Sequence, residues 1–351
     1  MIDTEGINME SITIKDIARM CNVGVSTVSR AMNNHPDINK ETKEKIMGII
    51  KEYNYVPNNS ARNLKRSESK AIAILIKGIS NPFFSEMVRI IEEEIQRKKY
   101  SCILQRVEEG DNEIDVATAL VKEKRLKGII FLGGSTEHSK EKLSQLSVPF
   151  VLSTVGIVNQ PEEGLCSCIS VDDYKESYKM VDYLCKLGHK RIAIMLQSKE
   201  DRSIGQLRFD GYVKALKDNG LEVDEKLVRT IRKAGNHYTL ADGYETMKEF
   251  LEENVEFTAL YAVADSLAIG ACRAIVEAGK SIPKDYSVAG FDGLDMGTYY
   301  NPSLTTIRQP VEDMAQATIK TLFSVIKKKG GHKKMIFEGE LLERESTRKI
   351  D

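Results

Sequence analysis

Residues 12–66 read ITIKDIARMCNVGVSTVSRAMNNHPDINKETKEKIMGIIKEYNYVPNNSARNLKR, and the reading of this stretch decides what the rest of the chain is for. Ile14, Ile17, Ala18 and Cys21 recur at the i, i+3, i+4, i+7 spacing that lays one apolar stripe along a short helix. Thr13 stands where an N-cap belongs. After the break at Asn22-Val23-Gly24 a second helical pattern follows, in which Val25, Val28 and Met32 are expected to face inward while Ser26, Thr27, Ser29 and Arg30 face outward. Two short helices across so tight a turn form a helix-turn-helix. Small hydroxyls and one Arg suit a major groove, because short side chains let the helix approach and Arg bonds guanine or phosphate. A third stripe, Ile46, Ile49, Ile50 and Tyr53, supplies the helix on which the pair packs. Any small three-helix bundle shows such stripes, so DNA binding needs further support.

Charge provides it. Between Ser11 and Arg66 ten Lys and Arg stand against five acids, in a chain of 351 residues whose formal total is −1. The remainder is therefore acidic, and the cations concentrate where phosphates would be met. Apolar content of 41% and charge of 29% are those of a soluble globular protein rather than a disordered or membrane chain. No apolar run approaches 18 residues and no secretory signal is visible, so a cytoplasmic location is expected. Among six cysteines (21, 102, 166, 168, 185, 272) the one close pair is Cys166-x-Cys168. Without a second pair or adjacent histidines this argues against a zinc site, and reduced thiols are expected. Neither a metal nor a cofactor is expected. Met1 to Glu10 shows no helical period, so residues 1–11 read as a flexible arm.

Beyond a polar tether at 58–69, strand and helix patterns alternate. The strand-like runs are 71–76, 101–104, 128–132, 150–152, 169–171, 191–195, 259–263 and 287–291, separated by helical patterns such as 84–98, 113–124, 173–187, 206–219, 240–253 and 267–278. Strand then helix, repeated, means parallel sheets covered on both faces, and the length implies two similar halves. Ligands of such sheets sit outside the carboxyl ends of strands. There stand Ser80-Asn-Pro-Phe-Phe at 80–84, Arg202 and Arg208 after the strand ending at Met195, Asp265 after Val263 and Asp292 after Phe291. An Arg and an Asp across a cleft bracket a hydroxylated ring, although each strand-end Asp alone is as readily a helix cap.

The order of residues resembles the LacI/GalR family of bacterial transcription regulators. The matching pieces in the first 70 residues are Ile12-Thr-Ile-Lys-Asp-Ile-Ala, Val23, Ser26-Thr-Val-Ser-Arg, Asn33, Lys43-Glu-Lys-Ile, Tyr55-Val-Pro-Asn and Ala61-Arg-Asn-Leu. Further on they are Asn81-Pro-Phe-Phe, Leu187-Gly-His-Lys-Arg-Ile, Arg208-x-x-Gly-Tyr, Ala289-Gly-Phe-Asp and Leu304-Thr-Thr-Ile-Arg-Gln-Pro. The chain departs from the pattern at Gly24, where Ser is usual, at Ala264, where Asn is usual, and at Val155, where several members carry a stacking Trp. The resemblance implies an α/β architecture: an N-terminal three-helix helix-turn-helix domain at 12–57 and a hinge helix at 58–69. A two-subdomain core like that of periplasmic sugar-binding proteins, built on two doubly wound parallel sheets, then fills 70–351. Its first subdomain is expected over about 70–168 and 309–331, its second over about 169–308 and 332–351.

The same resemblance implies that Val25 and Ser26 read bases and that Leu64 wedges into the minor groove, bending the duplex. Thr13, Thr27, Ser29, Arg30, Asn33, Tyr55, Asn58, Ala61, Arg62 and Lys65 complete the expected DNA-facing set. Asn81, Phe83, Phe84, Arg202, Arg208, Tyr238, Asp265 and Asp292 are the expected effector contacts. The expected function is a sequence-specific regulator, a repressor by type. It binds a palindromic double-stranded operator as a homodimer, under control of a small molecule, foremost a sugar, with no membrane partner. Within this class a purine-responsive or protein-corepressor-dependent member is the alternative. From another class, a solute-binding protein or small-molecule enzyme would carry the N-terminal helices incidentally. Phosphate-loop, zinc-protease and nucleophile-elbow motifs are all missing, so no enzyme is expected.

Overall fold

The computed structural model describes residues 12–53, 55, 70–108, 110–156, 166–197, 204–231 and 238–350. The chain divides into two compact units, Met1–Glu68 and Ser69–Asp351. In the first, α1 (Ile14–Cys21), α2 (Val25–Met32) and α3 (Lys40–Glu52) pack against one another. The Asp16 carboxylate accepts from the backbone N–H of Thr13 at 3.0 Å and from its hydroxyl at 2.6 Å, which locks the first turn of α1. Asn22 then turns the chain in the left-handed conformation, which Asn tolerates better than most side chains. The Gly24 carbonyl receives the Thr27 N–H at 2.9 Å to start α2. Ile17, Ala18, Cys21, Val28, Ala31 and Ile46 form the core.

Two inward assignments, Val25 and Tyr53, are corrected. Val28 and Ala31 set the inward direction of α2, and Val25, about 60° further round the helix, is 41% exposed. Met32 only flanks the core. Tyr53 lies past the end of α3 and is exposed. Its place is taken by Tyr55, which packs on the core and donates its N–H to the Ile50 carbonyl at 3.0 Å.

The second unit opens with β1 (Ala71–Lys77), α4 (Phe83–Arg97), β2 (Ser101–Val107), α5 (Glu113–Lys124), β3 (Gly128–Leu132), α6 (Lys140–Leu143), β4 (Phe150–Ser153) and β5 (Ser167–Val171). It continues with α7 (Asp173–Lys186), β6 (Ile192–Leu196), α8 (Ile204–Asp218), β7 (Val228–Thr230), α9 (Leu240–Glu252), β8 (Ala259–Ala262), α10 (Asp265–Glu277) and β9 (Ser287–Asp292). The last part holds α11 (Met296–Tyr299), β10 (Thr305–Arg308), α12 (Val311–Ile326), β11 (Lys334–Phe337) and β12 (Glu340–Leu342). Two six-stranded sheets result, ordered β11-β5-β4-β3-β1-β2 and β12-β10-β9-β8-β6-β7. The first is parallel throughout. The second is parallel except for its edge strand, β12, which runs against β10. Strand faces are buried on both sides, as at β1, β3 and β9, which explains why they read as unbroken apolar runs.

The subdomain boundaries also need correction. Residues 167–171 are all buried between β4 and β11, so the first subdomain extends to Val171 rather than 168. A strand inside a ladder cannot be divided between sheets. For the same reason β11, at 334–337, belongs with the first sheet, and the chain returns to the second only at Glu340. Gly339 makes this third crossing possible: a Cβ there would stand 2.7 Å from Ile307 Cγ2 and 3.0 Å from Glu176 Oε2. Among the described residues no helix is long and apolar enough to cross a membrane.

Candidate effector cleft and DNA-reading helix

On the first unit, α2 turns Val25, Ser26 and Arg30 to solvent, with Thr27 and Ser29 half-buried beside them. Thr13 is exposed but its hydroxyl is engaged by Asp16. The Asn33 amide closes the end of α2 by donating to the Ser29 carbonyl at 2.6 Å. Tyr55 is a packing residue whose phenol is pushed up by burial. Asn58, Ala61, Arg62, Leu64 and Lys65, assigned from the resemblance, lie outside the described residues.

In the second unit a cavity of about 290 Å³ opens at the carboxyl ends of strands from both sheets, near the small end of ligand pockets. Asn81, Phe83, Phe84, Arg208, Tyr238 and Asp292, each expected from the sequence, line it. Asp292, the last residue of β9, is the hub. Its carboxylate accepts from the Asn81 amide at 3.0 Å and from the Gln309 amide at 2.9 Å, so one side chain joins residues of both halves. Arg208 lies 3.7 Å from it, donates to Asp173 at 2.8–2.9 Å and stacks on Phe291 at 3.6 Å. Burial pushes the Asp292 carboxyl up to about 6, even though the Arg208 charge and the two amides favour the anion. Burial alone would lower the pKa of Arg208, but the charges of Asp173 and Asp292 outweigh it and raise it. Phe83 and Phe84 meet edge to face, with centroids 5.6 Å apart, and form one apolar wall.

Opposite, Glu113 shapes the loop after β3. It accepts the Ser135 N–H at 2.7 Å and has His138 Nε2 at 3.2 Å and Lys77 Nζ at 3.7 Å. Burial works against its charge, yet the His138 and Ser135 hydrogen bonds prevail and hold it at about 2.

Asp265 is not in the cavity. It sits wholly buried at the start of α10, accepting from the Thr306 hydroxyl and the Leu294 N–H, each at 2.6 Å. Its carboxylate is taken up by Thr306 of β10 and the turn after β9, close against Gly290, rather than turned to the cavity. Arg202 lies outside the described residues. Sequence reasoning missed Lys77, Gly133, Thr154, Gln197 and Gln309, which also line the cavity. All five end a strand or closely follow one, so the strand-end rule applied to every strand would have found them.

Known proteins agree with this geometry. The description "Bacterial regulatory proteins, lacI family" matches residues 13–58, and "Periplasmic binding protein-like domain" matches 181–347. The "HTH-type transcriptional regulator MalR" of Clostridium butyricum is 41% identical, over 95% of this chain and 99% of its own. "Catabolite control protein A" of Priestia megaterium is 30% identical over 91% and 93%. A LacI family transcriptional regulator from Enterococcus faecium with bound ribose superposes with a TM-score of 0.68 at 27% identity, covering 80% of this chain and 100% of that one. The lac repressor dimer bound to operator and the anti-inducer ONPF shares the fold, with a TM-score of 0.73 at 23% identity over 97% and 100%. With a relative this similar along nearly its whole length, the chain belongs to the LacI family of bacterial transcriptional regulators.

Proposed function

We propose that this regulator binds a palindromic operator as a homodimer and that an uncharged, hydroxyl-rich ligand, a sugar, sets its affinity for DNA from the cleft at Asp292. The observation that carries this is the balance of charge around the cavity. Arg208 is met by Asp173 and Asp292, and Lys77 by Glu113, which among the described residues leaves no surplus cation to clamp a phosphate. What remains is a carboxylate and two amides for hydroxyls, beside aromatic faces for a ring. The ribose in the Enterococcus faecium relative supports the same class.

In this reading Val25 contacts a thymine methyl, Ser26, Thr27, Ser29 and Arg30 take base edges and phosphates, and residues 58–69 form the hinge that carries Leu64. A ligand hydroxyl donating to Asp292 competes with Asn81 and so changes how the two halves meet. Only such a difference between states moves DNA affinity. The ligand leaves unchanged, without turnover. Calorimetric titration with neutral mono- and disaccharides tests the site. One of them should bind, Asp292→Ala should weaken it at least about tenfold, as for loss of a charged hydrogen bond, and its phosphate ester should bind no better. Tighter binding of the ester would overturn the proposal.

A further inference from the structure

All six strands of the first sheet are parallel, so their amino ends share one edge, to which α4, α5 and α12 return their carboxyl ends. Backbone hydrogen bonds tie the corner together: Ser101 N–H to Lys70 O and Lys127 N–H to Ala71 O at 2.8 Å, and Cys168 N–H to Lys333 O at 2.9 Å. The chain enters the core here, at Lys70. Tyr55 of the helix-turn-helix module is fifteen residues earlier, at most about 50 Å of extended chain.

This edge is strongly basic. Residues 97–99, 122–127, 327–329 and 333–334 hold twelve Lys and Arg against one acid, Glu123, and all but Lys127 of the twelve are exposed. Helix carboxyl ends attract cations by themselves, but the second half carries the same dipoles and shows what that effect alone produces. After α7, α8, α9 and α10 the left-handed residue is Gly188, Gly220, Asn254 and Gly279, the usual choice where a Cβ is unwelcome. In their last turns α7 and α8 carry one base each, and α9 and α10 carry none, as is also true of α12. At the basic edge the same left-handed position is filled by Lys99, Arg125 and Lys328, with φ of 63°, 50° and 53°. Three helices thus place a cation where backbone preference asks for glycine, all at the edge where the tether attaches.

We propose that this edge is a second DNA-contacting surface, which engages phosphates of the duplex without reading bases. The inference rests on the DNA-binding reading of the first unit and goes beyond it, because no base-reading motif and no hinge residue is involved. The short tether raises the local concentration of duplex at this edge. A membrane fits less well: surface-binding segments insert apolar groups, and none of the exposed large apolar side chains among the described residues lies in these runs.

The test uses the full chain with Lys327→Gln, Lys328→Gln and Lys329→Gln combined, and a control combining Lys248→Gln, Lys280→Gln and Lys284→Gln in the second half. Binding to a random-sequence duplex several turns long is measured against salt concentration, with thermal melting to verify the fold. The edge variant should lose about tenfold in low-salt affinity. Its slope of log affinity against log salt should flatten by about one to three, at ~0.9 per phosphate contact, while the control matches wild type. A wild-type slope in a folded edge variant that still holds its operator would overturn the proposal and leave the DNA reading standing. Equal flattening in the control, or loss of binding to phosphatidylserine vesicles with duplex binding intact, would overturn it too. If the wild type bound no duplex at all, the DNA reading would fall, and this proposal with it.

Discussion

Asp265 and Asp292 lie at neighbouring strand ends, and burial pushes both upward, yet their surroundings give them different work. Asp265 is raised to about 8, by burial first and then by the charge of Asp292. Its folded form therefore binds protons that the unfolded chain has already released. Stability present below the ordinary carboxylate pKa, 3.8, is lost as pH rises toward 8. We expect urea unfolding of the core to show falling stability from pH 5 to 8, and Asp265→Asn to flatten that fall. An unchanged slope would mean that Asp265 does not titrate there. In the proposed reading Asp292 accepts ligand hydroxyls more strongly when ionised, so sugar affinity should drop as pH falls through about 6. In Asp292→Asn the dependence should vanish, as calorimetry at pH 5 and 7 would show. Asn81, Phe83, Phe84, Arg208, Tyr238 and Asp292 were legible because strand-end position and family order are written in the chain. Asp265 does not line the cavity because its carboxylate is held by Thr306 and Leu294, partners 41 and 29 residues away that no local pattern states.

At the scale of elements, α1–α3 form a module too small to absorb a core defect. Ile46 is fully buried between the three helices, and Ile46→Ala should cost about 2–4 kcal/mol. That is most of what so small a unit has. Operator binding should disappear while sugar binding by the second unit persists, and parallel titrations with duplex and sugar would separate the two. Gly339→Val at the third crossing should destabilise the core by about 1–3 kcal/mol through overpacking against Ile307 and Glu176, read as a lower melting temperature. The long elements were legible from period alone: α5 and β3 fall at the residues their apolar spacing indicates. The short strands β7, β10, β11 and β12 were not, and the subdomain boundary slipped with them. Three or four residues carry too little alternation, and pairing partners are set far away in sequence.

The whole molecule joins a base-reading face to a ligand cleft made of two halves. Asp292 receives Asn81 from one half and Gln309 from a crossing segment, so in the proposed reading occupancy of the cleft and the meeting of the halves depend on the same carboxylate. Two-sheet architecture and a cationic N-terminal unit could be read from alternation and charge. The closure contact could not, since it joins residues 211 positions apart. The most direct measurement is the affinity of the purified protein for its selected operator, with and without the sugar that binds, for wild type and Asp292→Ala. A change of tenfold or more with sugar in wild type, about 1.4 kcal/mol of coupling, and none in Asp292→Ala is predicted. Equal responses in both proteins, or none in a wild type saturated with sugar, would contradict control of DNA binding from this cleft.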